Sequence, residues 1–198
     1  VHNGNDPAPI VTTARSVTPR FCVVGRLVPH KQVEHAIDAL AALSADHPAL
    51  RLDVIGAGWW DDELRAHATR RGVTDRVTFH GFVDDQTKHE LLAASWFMAL
   101  PSLKEGWGIV VGEAGTHGTP TVAYSTAGGT TESIDHKDSG VLADDPFELT
   151  NAIRELIEDR QWREFLGQGA LAKSRSFTWA HSQSEFAELI ACAASRRP

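Results

Sequence analysis

The chain has 198 residues, enough for one ordinary domain or two small ones, and its net charge is −7. This acidic balance lacks the broad basic field of most nucleic-acid-binding proteins, so we expect no nucleic-acid partner. Residues 1–9 show no secretory signal, no stretch approaches the roughly 20 apolar residues of a membrane span, and two cysteines supply no disulfide framework. Together these features favour a cytoplasmic protein.

Residues 1–20 contain many turn formers and are interpreted as a linker. From Phe21 onward, short apolar runs alternate with stretches of helical periodicity, which is typical of a parallel α/β sheet. Six strands are predicted at 21–24, 52–55, 77–79, 96–100, 121–124 and 140–142. Helices are predicted between them at 32–46, 61–71, 85–94 and 109–117. The expected fold class is therefore a Rossmann-like, doubly wound, six-stranded parallel sheet with helices on both faces.

After the sixth strand the pattern changes to helices alone, as a helical C-terminal tail. Asp145-Pro146-Phe147-Glu148 has Asp at the N-cap, Pro at the first helical position and Glu at the third, which predicts a helix start. Two more helices are predicted, one around 162–166 and one after Thr178. The predicted organisation is a linker at 1–20, a Rossmann-like domain at 21–178 and a C-terminal helix at 179–198.

Candidate ligand-binding residues follow the predicted strands, because open parallel sheets bind ligands beyond the carboxyl ends of their strands. The loops after the first three strands contribute Gly25, Arg26, Lys31, Gly56, Gly58, Phe82 and Val83. Glycines at strand ends and helix starts let a ligand approach the backbone closely, and they suit a phosphorylated ligand.

The strongest single signal is the segment from Glu105 to Glu113, in which two glutamates lie eight residues apart. Its second half is predicted to be helical, so the amides of Ile109 and Val110 would point at a phosphate from a helix N-terminus. Trp107 and Gly108 lie between the first glutamate and this helix. The two carboxylates need compensating cations, and Arg26 and Lys31 are the candidates.

Other reaction classes lack their sequence signatures. No Walker A segment, no G-x-S-x-G elbow and no G-x-G-x-x-G fingerprint is present, which argues against a P-loop NTPase, an α/β-hydrolase and a dinucleotide-binding protein. The ten histidines show no metal-binding spacing, so no metal site is expected and each is interpreted as structural or solvated. Taken singly, the glutamates are more often capping residues and the two cations more often surface residues.

In combination, these motifs resemble the donor-binding half of the retaining family 4 glycosyltransferases. The resemblance covers about residues 21–142 and rests on G-R-L-V with Lys31, I-G-A-G at 55–58, V-T-F-H-G-F-V at 77–83, P-S at 101–102, E-G-W-G at 105–108, E-A at 113–114, H-G-T-P-T-V-A at 117–123, G-G-T-T-E at 128–132 and S-G-V-L at 139–142. The E-x7-E core followed by G-T-P is its most specific part. Two departures are Trp107, where Phe is commoner, and Gln32, which replaces a frequent Gly after the lysine.

The resemblance implies one half of a GT-B fold, in which two Rossmann-like domains face each other across a cleft. The chain is then the C-terminal domain, with residues 1–4 at the end of the interdomain crossover and an acceptor-binding N-terminal domain missing. It is expected to be an excised domain or half of a split protein, inactive in transfer by itself. The implied reaction moves a hexosyl group from a nucleoside-diphosphate sugar with retention, without a cofactor or metal, and peripheral membrane contact through this domain is not expected.

The resemblance also implies a role for each site residue. Arg26 and Lys31 would hold the diphosphate, Glu105 and the Trp107–Gly108 backbone would contact the sugar, and Glu113 would accept hydrogen bonds from the ribose. The remaining donor-binding positions are Gly25, Gly56, Gly58, Phe82, Val83, Ile109 and Val110. Three alternatives stay open: a sugar-nucleotide epimerase, a phosphorylase-like half domain and a non-catalytic nucleotide-binding module.

Overall fold

The computed structural model describes Gly4 and residues 8–195. Six strands form one fully parallel sheet in the order β3-β2-β1-β4-β5-β6, so the predicted fold class is confirmed. The strands are β1 (Arg20–Val24), β2 (Arg51–Ile55), β3 (Val77–Gly81), β4 (Phe97–Leu100), β5 (Thr121–Tyr124) and β6 (Gly140–Ala143).

Helices follow the strands in the predicted alternation. They are α1 (Val33–Leu43), α2 (Asp61–Arg70), α3 (Asp85–Ala94), α4 (Ile109–Gly115), α5 (Thr130–Ser133), α6 (Pro146–Glu158), α7 (Arg160–Ser174) and α8 (Trp179–Ser195). Short 3-10 turns cover Pro29–Lys31, Thr74–Arg76 and Ser125–Ala127. None of the helices in the described part of the chain is long and apolar enough to span a bilayer.

Two apolar layers cover the two faces of the sheet, because successive side chains of a strand point to opposite sides. Phe21 and Val23 belong to the layer that contains α1, α2 and α6, whereas Cys22 belongs to the layer that contains α3 and α4. Phe21 stacks on Phe97 of the neighbouring strand β4, with ring centroids 5.2 Å apart. Strands buried on both faces explain why the sequence shows continuous apolar runs rather than alternation.

The start of α6 has the predicted capping chemistry. The Asp145 side chain accepts a hydrogen bond from the Glu148 amide at 2.8 Å, and Glu148 Oε2 accepts from the Asp144 amide at 2.8 Å. Helix α4 ends at Gly115 rather than at the predicted residue 117. The chain turns there because Gly118 adopts a left-handed conformation, with φ of 63°.

The predicted linker contacts the domain in its described part. The Ser16 amide donates to the Ala94 carbonyl oxygen at 2.9 Å, and the Arg15 guanidinium donates to the carbonyl oxygens of His117 and Gly118. Residues 1–3 and 5–7, which carry most of the proposed interdomain crossover, and residues 196–198 of the predicted C-terminal helix lie outside the described residues. The division at 20 and 178 stays a prediction.

Candidate functional site

The strand order reverses direction between β1 and β4, and this switch point is where open α/β sheets form a ligand-binding crevice. A small cleft lies at the carboxyl ends of these two strands. Its lining includes three of the predicted site residues, Gly25, Arg26 and Lys31, together with Pro101 and Ser102 from the end of β4. The two loops are joined by a hydrogen bond of 2.8 Å from the Leu103 amide to the His30 carbonyl oxygen.

Lys31 and Glu105 form an ion pair within this cleft. Lys31 Nζ lies 2.5 Å from Glu105 Oε1, and Ser102 Oγ donates to the same oxygen at 2.6 Å. The two side chains are only 18% and 10% exposed. The structure therefore brings together one predicted cation and one predicted carboxylate, which lie 74 residues apart in the sequence.

Gln32 takes the place of the usual glycine after Lys31 and adopts the conformation that a glycine would have there. Its φ is 47° and its ψ is 39°, which places it in the left-handed region. A glycine adopts this conformation without a steric cost, whereas other residues bear about 1–2 kcal/mol. The departure from the family pattern therefore leaves the turn over Pro29–Lys31 intact, and α1 begins directly after it.

Arg26 is exposed at the rim of the same cleft. Among the residues that the structure describes, no carboxylate forms an ion pair with its guanidinium. Because Lys31 is paired with Glu105 and Arg26 pairs with no carboxylate in the described part of the chain, the Arg26 guanidinium is left as a positive charge at the rim of the cleft. An anion entering the crevice would meet this charge first.

The backbone of Glu105 is fixed by the loop that follows β5. Its amide donates to the Ala127 carbonyl oxygen at 2.6 Å, and its carbonyl oxygen accepts from the Gly129 amide at 3.2 Å. A Cβ on Gly129 would lie 1.8 Å from the carbonyl oxygen of Gly106, so only glycine permits this approach. The G-G pair at 128–129 thus holds the Glu105 loop in place by backbone packing.

Gly56 and Gly58 also have a packing explanation. A Cβ on Gly56 would lie 1.9 Å from the Gly25 carbonyl oxygen, and one on Gly58 would lie 2.0 Å from the Leu27 carbonyl oxygen. These glycines let the loop after β2 pack against the loop after β1. Gly25 differs, because a Cβ there would meet no atom closer than Lys31 Cε at 4.0 Å. Of the four glycines predicted at the site, Gly25 leaves the most room for a ligand.

The segment between the two glutamates turns into α4 through Gly108, whose φ is 73°. Ile109 and Val110 form the first turn of this seven-residue helix, where backbone amides have no carbonyl partner inside the helix. The Trp107 ring packs edge-to-face on Phe177, with centroids 4.9 Å apart. The indole thus contributes to packing against Phe177.

Glu113 is paired with a cation that the sequence analysis did not identify. Lys88 Nζ, on α3, lies 2.8 Å from Glu113 Oε1 on α4 and 2.7 Å from Asp85 Oδ1. Burial opposes the charge on Lys88, but its hydrogen bonds to Asp85 and Glu113 outweigh that effect and raise the pKa of Lys88. The prediction that Arg26 and Lys31 compensate both glutamates is thus wrong for Glu113. Only the packing of α3 against α4 brings Lys88 within reach.

Two histidines lie beside this cluster. His89 Nδ1 and His117 Nε2 share a hydrogen bond of 2.7 Å, and His89 is buried. Burial lowers the pKa of His117 to about 4, with further lowering by the charges of His89 and Arg15. Burial and the Lys88 charge also lower the pKa of His89. Both imidazoles are therefore neutral at pH 7.

Asp85, His89 and Glu113 also place three metal-ligating atoms within 4.8 Å of one another. The Lys88 ammonium already bonds to both carboxylates of this group. The cation between them in this structure is therefore an amine. An ammonium in this position disfavours a divalent metal by charge repulsion.

Phe82 and Val83, which follow β3, differ in their surroundings. The Phe82 side chain is 87% exposed, whereas Val83 packs against the apolar layer of α3 and α4. An exposed aromatic ring beside a strand end offers a stacking surface to a planar ligand. Phe82 can therefore contact a ligand through its ring, whereas the Val83 side chain is used in packing.

Known proteins are similar to this chain in fold and in sequence. The structure of Anabaena HepE in complex with UDP-glucose superposes with a TM-score of 0.79 at 32% identity, over 89% of this chain and 49% of that chain. D-inositol 3-phosphate glycosyltransferase from Jonesia denitrificans is 34% identical over 170 residues, which is 81% of this chain and 40% of the relative. The chain thus spans less than half of each protein.

A third similar structure is the C-terminal domain of the group 1 glycosyl transferase LpcC from Francisella tularensis, with a TM-score of 0.72 at 21% identity over 82% of this chain and 87% of that chain. At this identity the likeness concerns the fold alone. The family model for "Glycosyl transferases group 1" matches residues 11–173, which include every predicted site residue. The chain therefore belongs to the group 1 glycosyl transferases and has the Rossmann-like sheet of their GT-B type.

Proposed function

We propose that this chain is the donor-binding domain of a retaining family 4 glycosyltransferase and binds a nucleoside-diphosphate sugar, with UDP as its nucleotide. The observation that carries the proposal is the Lys31–Glu105 pair at the β1–β4 switch point, beside an exposed Arg26 that forms no ion pair with the residues the structure describes. Membership of the group 1 family and the likeness to HepE, solved with UDP-glucose, support it.

The diphosphate lies between the β1 loop and the start of α4 in this proposal. Arg26 binds phosphate oxygens through its two-pronged guanidinium, and Lys31 adds a compact charge. Lys31 has three N–H donors, so it can contact a phosphate while it keeps its bond to Glu105. Gly25 admits the ligand because a Cβ built on it would meet no atom closer than Lys31 Cε, at 4.0 Å. The amides of Ile109 and Val110 complete the phosphate contacts.

The nucleoside extends from the diphosphate toward α3 and β3. Glu113 accepts hydrogen bonds from the ribose hydroxyls, a role that fits its place one turn into α4 and its partly buried carboxylate. The base packs on Phe82 and meets the main chain of Val83. Gly56 and Gly58 act indirectly, because they set the spacing between the loops after β1 and β2.

The sugar lies beside Glu105 and the Trp107–Gly108 backbone. When the glycosidic bond to the diphosphate breaks, negative charge grows on the departing phosphate, and Arg26 and Lys31 stabilise it. An acceptor hydroxyl then attacks from the same face of the sugar and gives its proton to the departing phosphate, which gives retention. Orientation of this acceptor needs a second domain that closes the cleft, so this chain by itself binds the donor and transfers no sugar.

Calorimetric titration of the 198-residue chain with UDP, GDP and ADP in EDTA tests the proposal. We expect saturable binding with UDP the tightest. In a separate assay with UDP-glucose as the donor, we expect no transfer of the glucosyl group to added myo-inositol or inositol phosphate. No binding by any of the three nucleotides contradicts donor binding. Tighter binding of GDP or ADP contradicts only the choice of UDP, and robust transfer contradicts the need for a second domain.

A further inference from the structure

A three-residue charge chain, Asp85–Lys88–Glu113, crosses from α3 to α4 next to the proposed ribose site. Lys88 Nζ bonds to Asp85 Oδ1 at 2.7 Å within α3 and to Glu113 Oε1 at 2.8 Å across the helix pair. The first contact joins residues three apart on one helix, which face the same side. The second joins residues 25 apart in the sequence. Asp85 thus orients Lys88 within α3, and Lys88 contacts Glu113 on α4.

Burial separates the roles of the two carboxylates. The Asp85 side chain is 69% exposed, whereas those of Lys88 and Glu113 are 20% and 24% exposed. An exposed ion pair contributes little free energy, but a partly buried one is less screened by water. The Lys88–Glu113 contact is therefore the stronger constraint, and Asp85 serves mainly to orient the ammonium.

The bond to Lys88 uses one oxygen of Glu113 and leaves the other for a ligand. In the described part of the chain no hydrogen bond involves Glu113 Oε2. A carboxylate anchored at one oxygen has a fixed orientation at the other, so binding a hydroxyl there loses less conformational freedom. Without the ammonium, Asp85 and Glu113 would face each other as like charges within 4.8 Å, and Glu113 would turn away or take up a proton.

We propose that Lys88 is a positioning residue that aims the Glu113 carboxylate at the 2′-hydroxyl of the ribose, and that this arrangement makes the domain prefer ribonucleoside over 2′-deoxyribonucleoside diphosphates. The inference rests on the proposed function, since it takes Glu113 as the ribose acceptor. Lys88 itself contacts neither the sugar nor the phosphates in this arrangement. Its effect on binding is transmitted through Glu113.

The test compares UDP with 2′-deoxy-UDP on the wild-type chain and on Lys88→Met, by calorimetry in EDTA so that no metal replaces the ammonium. Methionine keeps the length of the side chain and removes its charge. We expect the variant to lose about tenfold or more in affinity for UDP but little for 2′-deoxy-UDP, because a hydrogen bond to a charged group is worth about 1.5–3 kcal/mol. The preference for ribose should therefore collapse.

Two further variants separate positioning from folding. Lys88→Arg keeps the charge and should restore most of the ribose preference. Arg154→Met is the control, because Arg154 on α6 pairs with Asp46 at 3.1 Å on the side of the sheet opposite α3 and α4. It should leave both affinities unchanged. Thermal melts of all variants report whether each is folded.

The outcomes distinguish the inference from the proposed function. If the wild type does not bind UDP, the proposed function fails and the inference fails with it. If the wild type binds UDP but Lys88→Met keeps the ribose preference, only the positioning role is wrong. Equal losses on both nucleotides, or a Lys88→Arg variant as weak as Lys88→Met while still folded, also overturn the role of Lys88.

Discussion

Lys31 Nζ and Glu105 Oε1 lie 2.5 Å apart, although one residue follows β1 and the other follows β4. The contact joins the two loops at the point where the strand order reverses, which is the edge where open α/β sheets bind ligands. Glu113 has its own lysine, Lys88, at 2.8 Å. Each glutamate of the E-x7-E segment is therefore held by a separate lysine from a distant part of the chain.

Replacing Lys31 by Ala should weaken UDP binding by about 1–3 kcal/mol, because one charge-assisted hydrogen bond to the diphosphate is lost. Calorimetry in EDTA at two salt concentrations measures the effect. We expect wild-type binding to survive the chelator and to weaken at higher salt, since exposed charges are screened. Lys137→Ala, a lysine in the turn before β6, is the control and should bind UDP as the wild type does. Unchanged affinity in Lys31→Ala, or loss of wild-type binding in EDTA, speaks against a metal-free diphosphate site.

The two glutamates should differ in which part of the donor they recognise. Glu113→Ala should weaken UDP and UDP-glucose alike, by about tenfold or more, because both carry the ribose. Glu105→Gln should leave UDP affinity nearly unchanged and weaken only UDP-glucose. Glutamine keeps an oxygen that can accept the Ser102 hydrogen bond, so the loop stays in place. Titration of both variants with both ligands gives the comparison, and equal losses throughout would assign the pair a general structural role.

Gly56 should be far less tolerant of a side chain than Gly72. In Gly56→Ala the new Cβ would lie 1.9 Å from the Gly25 carbonyl oxygen, so the backbone must shift. At Gly72 φ is 71° and a new Cβ would have no atom within 4 Å. The only cost of Gly72→Ala is therefore that of placing alanine in the left-handed conformation, a loss of about 1 kcal/mol in the free energy of unfolding. Urea unfolding should show a loss of at least about 2 kcal/mol in Gly56→Ala. Similar losses in both variants would mean that the close approach of the two loops is not a constraint.

The His89–His117 pair should make the domain less stable in acid. The pKa of His117 is lowered to about 4 in the folded chain, against about 6.5 for an unfolded histidine. Between these values the unfolded chain binds more protons, so the free energy of unfolding falls as the pH drops from about 6.5 toward 4. His89 acts in the same direction, since its pKa is also lowered.

Urea midpoints between pH 7.5 and 4.5 measure this dependence. His117→Asn should show a shallower decline than the wild type, because it removes one group that protonates on unfolding. The matched control is His181→Asn, whose side chain is 62% exposed on α8 and should keep the wild-type slope. Parallel declines in all three proteins would rule out His117 as a source of the acid sensitivity.

The sheet was predictable because each strand is buried on both faces. Cys22 and Val23 lie on opposite sides of β1, yet both must be apolar, and the resulting run stands out in the sequence. The start of α6 was predictable for a local reason, since Asp145 and Glu148 cap it within a single turn. Boundaries that depend on tertiary contacts were less certain. Trp96, for example, precedes β4 and its indole donates to the Ser16 carbonyl oxygen at 2.7 Å.

The site was predictable only as far as strand ends define it. Gly25, Arg26 and Lys31 follow a recognisable strand, so the edge they share with Glu105 could be inferred from topology. The Lys88–Glu113 contact could not, because it depends on how α3 packs against α4. No spacing rule marks a lysine 25 residues before a glutamate as its partner. Nor could the sequence distinguish Gly25, which has open space beside it, from Gly56, which packs against the backbone of another loop.

The most direct test of the donor-site assignment is a crystal structure of this chain with UDP bound. The assignment predicts the diphosphate at the carboxyl ends of β1 and β4, within hydrogen-bonding distance of Arg26 and Lys31. A diphosphate seated elsewhere would contradict it. The alternative position to inspect is the groove near the amino ends of the strands, because three arginines line it: Arg15, Arg160 and Arg163.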